Sequence, residues 1–424
     1  MNGSLSRREF TRALAAGSAA FAATVVDAER ALAAPAWRLR TGALDWAAIR
    51  ERFLIAEGLA PMNAANLCPS STDVLSTLYE HTRSVDRDPS PQNRARFGEA
   101  KESLRRSVAA FLNVTPEEIL LTRNTSEANN HVSAGLELKS GDEVVIFSDN
   151  HPSNHQAWRE RAKRFGFTVK IVEQFNPHPG AEFYLDAFRR ALSTNTRVLG
   201  FTHMTNTVGD VFPAAEICRA AREHGVLTLL DGAQSFGLMA VDLQAIQPDF
   251  YSGSAHKWPC GAREVGVLYV RRDVQPRFWP SVYSAYTGGI GLSRTHEGFG
   301  QRDDAVFLAF ERALALQQEI GRAAIEQRSR MLAQSLMEGL SKLPGVKLWT
   351  SRDAARSAAV VSFQPGTLDV RRLAQALYQR DRIAVATRGG NDRPGVRLSP
   401  HFYNLEEEME RMVAALRGYL RNGV

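Results

Sequence analysis

Two apolar stretches of the sequence end on residues that could carry out covalent chemistry with an aldehyde. One stretch ends at Asp231. The next predicted strand is followed by Lys257, and Ser254 and His256 shortly precede this lysine. The apolar run before Asp231 disfavours an exposed turn, because burial of an unpaired carboxylate is costly. Pyridoxal 5′-phosphate (PLP) requires a lysine amine for its aldehyde and a carboxylate for its pyridinium nitrogen. We therefore predict that Lys257 binds PLP as a Schiff base and that Asp231 lies at the ring nitrogen. Ser254 and His256 would then face the phosphate.

Short apolar runs alternate with amphipathic stretches from about residue 117, and this pattern predicts the elements that position these residues. Strands separated by helices indicate a parallel or mixed sheet covered on both faces. Such sheets place their chemistry at the strand ends. The predicted strands are 118–122, 143–147, 169–172, 197–202, 227–230, 249–252 and 266–270, with helices near 126–138, 154–165 and 183–193.

The C-terminal part shows a different sequence pattern. A long helical pattern over 305–343, with a break near Gly321, follows a segment rich in loops. Strands are predicted beyond it at 346–349, 358–363, 383–387 and 395–398, with helices near 369–380 and 405–421. We predict a large PLP-binding domain with its N-terminal segment over 35–320, followed by a smaller C-terminal α/β domain over 321–424.

The segments around Asp231 and Lys257 resemble those of class V aminotransferases, the family that contains cysteine desulfurases and isopenicillin N epimerase. The resemblance covers roughly residues 45–420. It implies the α/β fold of PLP-dependent transferases, which is aspartate aminotransferase-like and has a mixed, mostly parallel sheet in its large domain. Residues 300–303 resemble a GTRD-type loop that reaches the neighbouring subunit's cofactor in this family. The resemblance therefore also implies a homodimer.

Further cofactor contacts are implied by matches to the family pattern. Thr125 and Ser126 lie between a predicted strand and helix, where free N–H groups and the helix dipole favour a phosphate. A simple N-cap is the alternative there. His151 matches the histidine that stacks on the pyridine ring, although a histidine before a proline could merely end a strand. The resemblance thus adds a phosphate cup and a residue on the ring face.

Three more residues are assigned in the same way. Asn206 matches the residue near the ring oxygen, and Gln234 would share that oxygen. Arg397 falls where the family places the arginine that grips the substrate carboxylate through two hydrogen bonds. A surface charge is the commoner role of an arginine at a strand end, so this assignment depends on the resemblance.

The cysteines depart from the desulfurase pattern. Desulfurases carry a nucleophilic cysteine on the loop before the substrate arginine, whereas residues 387–393 contain none. Persulfide transfer is therefore disfavoured. Cys68, Cys218 and Cys260 lack the spacing of a zinc site or a disulfide framework, so we expect unpaired buried thiols and no metal.

Residues 1–34 resemble a twin-arginine export signal. Arg7 and Arg8 precede an aromatic residue, a mild apolar stretch over 13–26 and a region of small residues. A cytosolic amphipathic helix with a chance arginine pair is the alternative. We predict a periplasmic protein that the twin-arginine translocation machinery exports folded. No later segment has the ~18 apolar residues of a membrane span. The formal net charge of +6 contains no run of like charges that would indicate a nucleic-acid partner.

The cofactor and the fold leave several reactions open, because PLP weakens every bond at the substrate α-carbon. Lys257 is the natural general base for the α-proton. The export signal and the cysteine-free loop resemble those of periplasmic PLP enzymes that tailor the siderophore pyoverdine. The leading hypothesis is therefore modification of an amino-acid unit on an extracytoplasmic peptide or siderophore-type metabolite. A carbon–sulfur lyase or aminotransferase for small free amino acids is the alternative, and an inactive binding module is the least favoured one.

Overall fold

The computed structural model describes residues 37–39, 41–176, 178–389 and 392–424. The predicted export signal, residues 1–34, lies outside the described residues and stays a prediction. No helix in the described ranges is both long enough and apolar enough to cross a membrane.

The chain divides into two units, the first ending at Ile49 and the second beginning at Arg50. In chain order the strands are β1 (Ala60–Pro61), β2 (Ile119–Thr122), β3 (Glu143–Phe147), β4 (Thr168–Val172), β5 (Thr196–Thr202), β6 (Leu227–Asp231), β7 (Phe250–Ser254), β8 (Gly266–Val270), β9 (Val346–Leu348), β10 (Val361–Pro365), β11 (Ile383–Ala384), β12 (Ala386–Arg388) and β13 (Gly395–Leu398). All of these strands lie in the second unit, which also contains every residue predicted for the site.

The first α-helix begins in the first unit, and the others alternate along the chain with the strands of the second unit. In chain order they are α1 (Trp46–Arg50), α2 (Thr72–Arg87), α3 (Pro91–Leu112), α4 (Thr125–Gly135), α5 (Pro152–Phe165), α6 (Ala181–Ala191), α7 (Ala214–Glu223), α8 (Leu243–Ile246), α9 (Ser293–His296), α10 (Ala305–Ile320), α11 (Arg322–Ser341), α12 (Val370–Gln379) and α13 (Glu406–Asn422). Short 3₁₀ helices span Pro116–Glu118 and Arg272–Arg277.

A seven-stranded sheet in the order β2-β8-β7-β6-β5-β3-β4 forms the centre of the large part of the chain. Strand β8 runs antiparallel to both of its neighbours, and the other six strands are mutually parallel. Every residue of β2, β7 and β8 is buried, as expected for strands covered on both faces. The predicted mixed, mostly parallel sheet is confirmed.

Local sequence signals account for several helix ends. Helix α3 begins after Ser90, whose Oγ accepts a hydrogen bond from the Asn93 amide at 3.2 Å, and proline occupies its first turn. The predicted break near Gly321 is confirmed, since this glycine ends α10 and precedes α11 with a φ of 106°. A positive φ of this kind is readily adopted only by glycine.

One predicted strand of the C-terminal part is wrong. The apolar run 383–387 forms two strands instead of one, because its halves find different partners. Strand β11 pairs in parallel with β1, whereas β12 pairs antiparallel with β13. Strand β10 also begins at Val361, later than the predicted 358. Strand partners far away in sequence decide these boundaries.

A second, four-stranded sheet has the order β12-β13-β10-β9. Helices α11, α12 and α13 contribute buried residues to the hydrophobic core beside it. That core also contains Ala60 and Met62, which come from the N-terminal part of the chain. The predicted domain boundary at 320/321 stays a prediction.

Candidate active site

A cavity of about 340 Å³ lies at the carboxyl ends of β2, β3, β6 and β7. Because these strands are mutually parallel, the residues that follow them meet at one edge of the sheet. Seven of the predicted site residues line this cavity, namely Thr125, Ser126, His151, Asp231, Ser254, His256 and Lys257. The structure therefore brings together residues that the sequence pattern and the family resemblance assign to one site.

Asp231 ends β6 and is 2% exposed. Its Oδ1 accepts a hydrogen bond from the Ala233 amide at 3.0 Å, and its Oδ2 accepts one from Asn129 Nδ2 at 2.8 Å. Both bonds fix the orientation of the carboxylate. A carboxylate can accept about four hydrogen bonds, so Asp231 keeps the capacity to pair with a further donor in the cavity.

Asn129 is a positioning residue that the sequence reasoning missed. It lies on α4, is buried, and accepts a hydrogen bond from Ser252 Oγ at 2.7 Å while it donates to Asp231. It therefore connects β6 and β7 through its two amide atoms. Its place one helical turn after Thr125 was the signal available, since residues three or four apart lie on the same face of a helix.

Replacing Asn129 with alanine is expected to lower the free energy of unfolding by about 1–3 kcal/mol, because buried hydrogen-bonding groups of Asp231 and Ser252 lose their partner. Urea unfolding of the purified protein measures this difference. Asn130 on the same helix provides the control, because it is exposed and its Nδ2 donates only to the Ser126 carbonyl. Equal effects of Asn129→Ala and Asn130→Ala would contradict the positioning role.

Lys257 follows β7 and faces the cavity. The pKa of its amine is lowered from 10.5 to about 8, mainly by burial, and within this net shift Asp231 raises the pKa while Arg397 lowers it. Within the described part of the chain no hydrogen bond or ion pair holds Nζ. An amine with a pKa of about 8 is partly unprotonated near neutral pH, which suits both attack on an aldehyde and proton transfer.

The lowered pKa of Lys257 predicts how stability depends on pH. Between pH 8 and 10.5 the unfolded chain binds a proton at Lys257 that the folded, cofactor-free chain does not bind. The stability of the cofactor-free protein is therefore expected to rise across this interval relative to Lys257→Met. Urea unfolding at several pH values measures the difference between the two proteins. A difference that does not change from pH 8 to 10.5 would rule out the lowered pKa.

His151 lies directly before α5 and forms its N-cap. Its Nδ1 accepts a hydrogen bond from the Ser153 amide at 3.2 Å, so the proton of the neutral ring is on Nε2. Burial, and then the charge of Lys257, lower the pKa of His151. The imidazole is consequently neutral at pH 7, which favours contact between its face and a flat heterocycle over an ionic role.

The first turn of α4 and the end of β7 form a polar cup in the wall of the cavity. The Thr125 amide donates to Ser254 Oγ at 2.9 Å, and the two hydroxyl groups are 2.8 Å apart. The backbone reaches this position only because residue 266 on β8 is glycine, since a Cβ there would lie 2.7 Å from Asn124 Cα. Hydroxyl groups at a helix N-terminus are suited to a phosphate.

His256 completes this polar cup. Burial, and then the charge of Lys257, lower its pKa to about 4, so the side chain is neutral at physiological pH. A neutral imidazole donates one hydrogen bond to a phosphate without adding a charge. Its backbone carbonyl accepts a hydrogen bond from the Cys68 amide at 2.9 Å, which fixes the segment before Lys257.

Three predicted residues, Asn206, Gln234 and Arg397, are not part of the cavity wall. Gln234 is held by other groups, because its Nε2 donates to the Ala65 carbonyl and its Oε1 accepts from Trp258 Nε1, both at 2.9 Å. Asn206 contributes its backbone carbonyl, which accepts a hydrogen bond from Arg397 Nη1 at 2.8 Å. The roles of Asn206 and Gln234 at the ring oxygen stay predictions.

Arg397 lies on β13 and is 8% exposed. Its Nη2 donates to Asn63 Oδ1 at 3.0 Å, and Asn63 begins the segment that brings Asn66 into the cavity wall. Its buried Nε has no hydrogen-bond partner among the described residues. Burial and the nearby Arg388 lower the pKa of Arg397 to about 10, so it remains a cation at neutral pH.

The predicted inter-subunit loop lies beside a different cavity, of about 470 Å³. Arg302 lines it and donates to the carbonyls of Leu121 and Thr122 on β2, at 2.6 and 3.0 Å. The guanidinium therefore holds the loop against its own chain. Contact of this loop with a neighbouring subunit stays a prediction.

All three cysteines are buried and unpaired, as predicted. The sequence spacing did not reveal that Cys68 and Cys260 come together with His401, with their ligand atoms within 4.8 Å. Both ring nitrogens of His401 already have partners, because Nε2 lies 2.8 Å from the Trp258 carbonyl and Nδ1 lies 2.9 Å from Ser329 Oγ. These contacts give His401 a structural role.

The residues of the cavity fit PLP. The cofactor needs an amine for its aldehyde, a carboxylate for its ring nitrogen and hydroxyl or amide donors for its phosphate. Lys257 Nζ has no protein partner in the described ranges, and Asp231 is buried and oriented. Thr125 and Ser254 supply hydroxyl groups at the helix N-terminus on the same cavity.

Comparison with known proteins identifies a family match and several relatives. A family profile described as aminotransferase class-V matches residues 63–412. Isopenicillin N epimerase of Amycolatopsis lactamdurans is 29% identical over 397 residues, which cover 88% of this chain and 98% of that protein. A cysteine desulfurase of Synechococcus elongatus is 32% identical over 370 residues, which cover 81% of this chain and 57% of that protein.

Solved structures show the same fold. A variant of C-DES, with glycine covalently linked to its PLP cofactor, is 24% identical with a TM-score of 0.81, and covers 87% of this chain and 98% of its own. The cystine C–S lyase C-DES in complex with its product cysteine persulfide is 24% identical with a TM-score of 0.78, and covers 86% and 98%. These similarities confirm the predicted fold of PLP-dependent transferases.

Proposed function

Since the chain belongs to the class V aminotransferase family and is a PLP-dependent enzyme, we propose that Lys257 anchors the cofactor and that the reaction takes place at the α-carbon of an amino-acid unit. The observation that carries the proposal is the cavity itself. It brings Lys257, Asp231 and the N-terminal turn of α4 together at one edge of the sheet.

The side chains have separate tasks in this proposal. PLP, when bound, condenses with amines and withdraws electrons from the α-carbon. Asp231, held by Asn129 and the Ala233 amide, keeps a negative charge beside the pyridine nitrogen. Lys257 Nζ takes the α-proton and returns it, because its pKa of about 8 allows both protonation states near neutral pH.

Two residues, His151 in the cavity wall and Arg397 on β13, would orient the substrate. The neutral His151 ring, which lines the cavity, would cover one face of the bound cofactor and exclude water from it. Arg397 binds the substrate α-carboxylate, for which its unpartnered Nε and its retained charge are suited. Holding the carboxylate would also fix the orientation of the α-carbon, and thereby which of its bonds is broken.

Persulfide transfer from a protein cysteine is not part of the proposal. The loop 387–393 has no cysteine. The three cysteines of the chain are all buried, and burial raises the pKa of Cys218 to about 12. A nucleophilic cysteine needs a lowered pKa and access to its substrate.

The finer proposal concerns the substrate and the compartment. We place the enzyme in the periplasm, where it modifies an amino-acid unit of a peptide or siderophore-type metabolite, as in pyoverdine maturation. The twin-arginine pattern at Arg7 and Arg8 supports this assignment. Cell fractionation tests it, with Arg7→Lys and Arg8→Lys combined as the export-deficient variant. A cytoplasmic location of the unaltered chain would overturn the proposal.

A carbon–sulfur lyase acting on free amino acids is the second candidate. The structural likeness to a cystine C–S lyase is the observation that favours it. Incubation of the purified enzyme with cystine, cysteine and peptides that carry side-chain-linked glutamate separates the two, with product masses as the readout. Turnover of cystine or cysteine, without turnover of the peptides, would favour the lyase function over peptide tailoring.

Reduction with borohydride tests the anchor directly. Borohydride fixes the cofactor to the amine that holds it, so digestion and mass spectrometry identify the labelled residue. The label is expected on Lys257. A label on another lysine would overturn the whole assignment of the site.

A homodimer with shared sites is proposed from the resemblance of residues 300–303 to the inter-subunit loop of the family. Light scattering coupled to size exclusion measures the mass of the purified protein. A monomer that turns over substrate at full rate would contradict shared sites.

A further inference from the structure

Arg388 and Arg397 lie on neighbouring strands of the four-stranded sheet. Strands β12 and β13 are antiparallel, with Ala386 opposite Arg397 and Arg388 opposite Gly395. Side chains of opposite residues point to the same face of a sheet, and so do those two residues apart on one strand. Arg388 and Arg397 are therefore diagonal neighbours on one face, with Cα atoms ~7–8 Å apart.

This face is the one directed toward the candidate active site. Arg397 donates to the Asn206 carbonyl at 2.8 Å and to Asn63 Oδ1 at 3.0 Å. Ser362, which lies opposite Arg397 on β10, donates to the Thr207 carbonyl. The face thus contacts the loop after β5.

Neither guanidinium forms an ion pair with a described residue, although Asp149 and Asp392 raise the pKa of Arg388 from a longer distance. Among residues 41–176, 178–389 and 392–424, no carboxylate lies within ion-pair distance of Arg388 or Arg397, and the buried Nε atom of each has no hydrogen-bond partner. The nearest candidate, Asp149, is already bound by both terminal nitrogens of Arg393 at 3.1 Å.

Two adjacent cations without an anion are unfavourable in a protein interior. Burial, and then the charge of Arg388, lower the pKa of Arg397, so the charge of Arg397 is held at an electrostatic cost. Opposite Arg388 the chain has Gly395, with a φ of 145°, so no side chain from β13 covers the guanidinium.

We propose that Arg388 and Arg397 together bind a substrate unit with two carboxylates, Arg397 taking the α-carboxylate and Arg388 a second carboxylate further along the side chain. This inference rests on the proposed function and narrows its substrate class to amino dicarboxylates. The second carboxylate belongs either to a free amino acid or to a peptide attached through the side chain, and both sources present the same chemistry to Arg388.

Calorimetric titration of the PLP-loaded protein with glutarate and pentanoate tests the proposal without turnover, because the two ligands differ by one carboxylate. Glutarate is expected to bind about tenfold or more tightly than pentanoate. The preference should disappear in Arg388→Gln, with pentanoate affinity unchanged, and should persist in Arg388→Lys. Arg397→Gln should weaken both ligands. The exposed Arg372→Gln is the matched control.

The outcomes separate the proposal from the function on which it rests. If borohydride labels Lys257 but the unaltered protein binds glutarate no more tightly than pentanoate, the two-carboxylate site is overturned. The proposed function then still stands. Equal loss of both ligands in Arg388→Gln, with an unchanged thermal midpoint, also overturns the two-carboxylate site. A label on another lysine overturns the proposed function. Glutamate and γ-glutamylglycine then distinguish the two sources, because the latter carries its second carboxylate beyond a peptide bond.

Discussion

Replacing Lys257 with alanine is expected to lower turnover by about a thousandfold or more. The substitution removes the anchor of the cofactor and also the group that moves the α-proton, and a positioned acid or base alone contributes typically about 10²–10⁴. Steady-state kinetics with the best substrate from the screen measure the loss. Borohydride labelling of the same protein should find no labelled peptide around residue 257.

The matched control for this change is Lys163→Ala. Lys163 is an exposed lysine on α5 whose ion pair with Glu160 spans 2.6 Å. Exposed pairs contribute little to stability, so turnover and labelling should both be retained. If Lys257→Ala kept more than about a tenth of the activity, Lys257 would not be the general base.

Replacing Asp231 with asparagine is expected to reduce turnover by about 10²–10³, the range seen when one preorganised electrostatic group is lost. Asparagine preserves the size of the side chain but removes the negative charge beside the pyridine nitrogen. Turnover at saturating cofactor measures the effect. Activity near that of the unaltered enzyme would show that the ring nitrogen does not need this charge.

The same variant has a second readout. Asp231 raises the pKa of Lys257, so the neutral side chain should move that pKa below its value of about 8. The stability of the cofactor-free Asp231→Asn protein should therefore begin to rise at lower pH. Asp186→Asn is the control, because Asp186 is exposed and pairs only with Arg189. It should leave both turnover and the pH dependence unchanged.

The comparison of Asn129 with Asp231 shows where the sequence reasoning stopped. Asp231 could be found because a buried apolar strand ends on it, and an aspartate at such a point needs a partner. Asn129 lies on a helix far from it in sequence. Its place one turn after Thr125 indicates that the two residues share a helix face, but it does not indicate a contact with β6. Only the packing of α4 against the sheet brings the amide within 2.8 Å of Oδ2.

For Gln234 the sequence predicted the position of the residue in the chain but not the partners of its side chain. Its position after Asp231 is local information, and the resemblance gave it a contact with the ring oxygen. The direction of its side chain depends on Ala65 and Trp258, which come from elsewhere in the chain and take both of its polar atoms. The location of the residue was predictable, whereas its contacts were not.

The sequence by itself determined the alternation of strands and helices, the residues at the strand ends and the chemistry of Lys257 and Asp231, because periodicity and side-chain type act locally. The tertiary structure decided which strand ends meet, and it split 383–387 between two sheets. These features depend on contacts between residues distant in sequence, and packing of the whole chain selects those contacts.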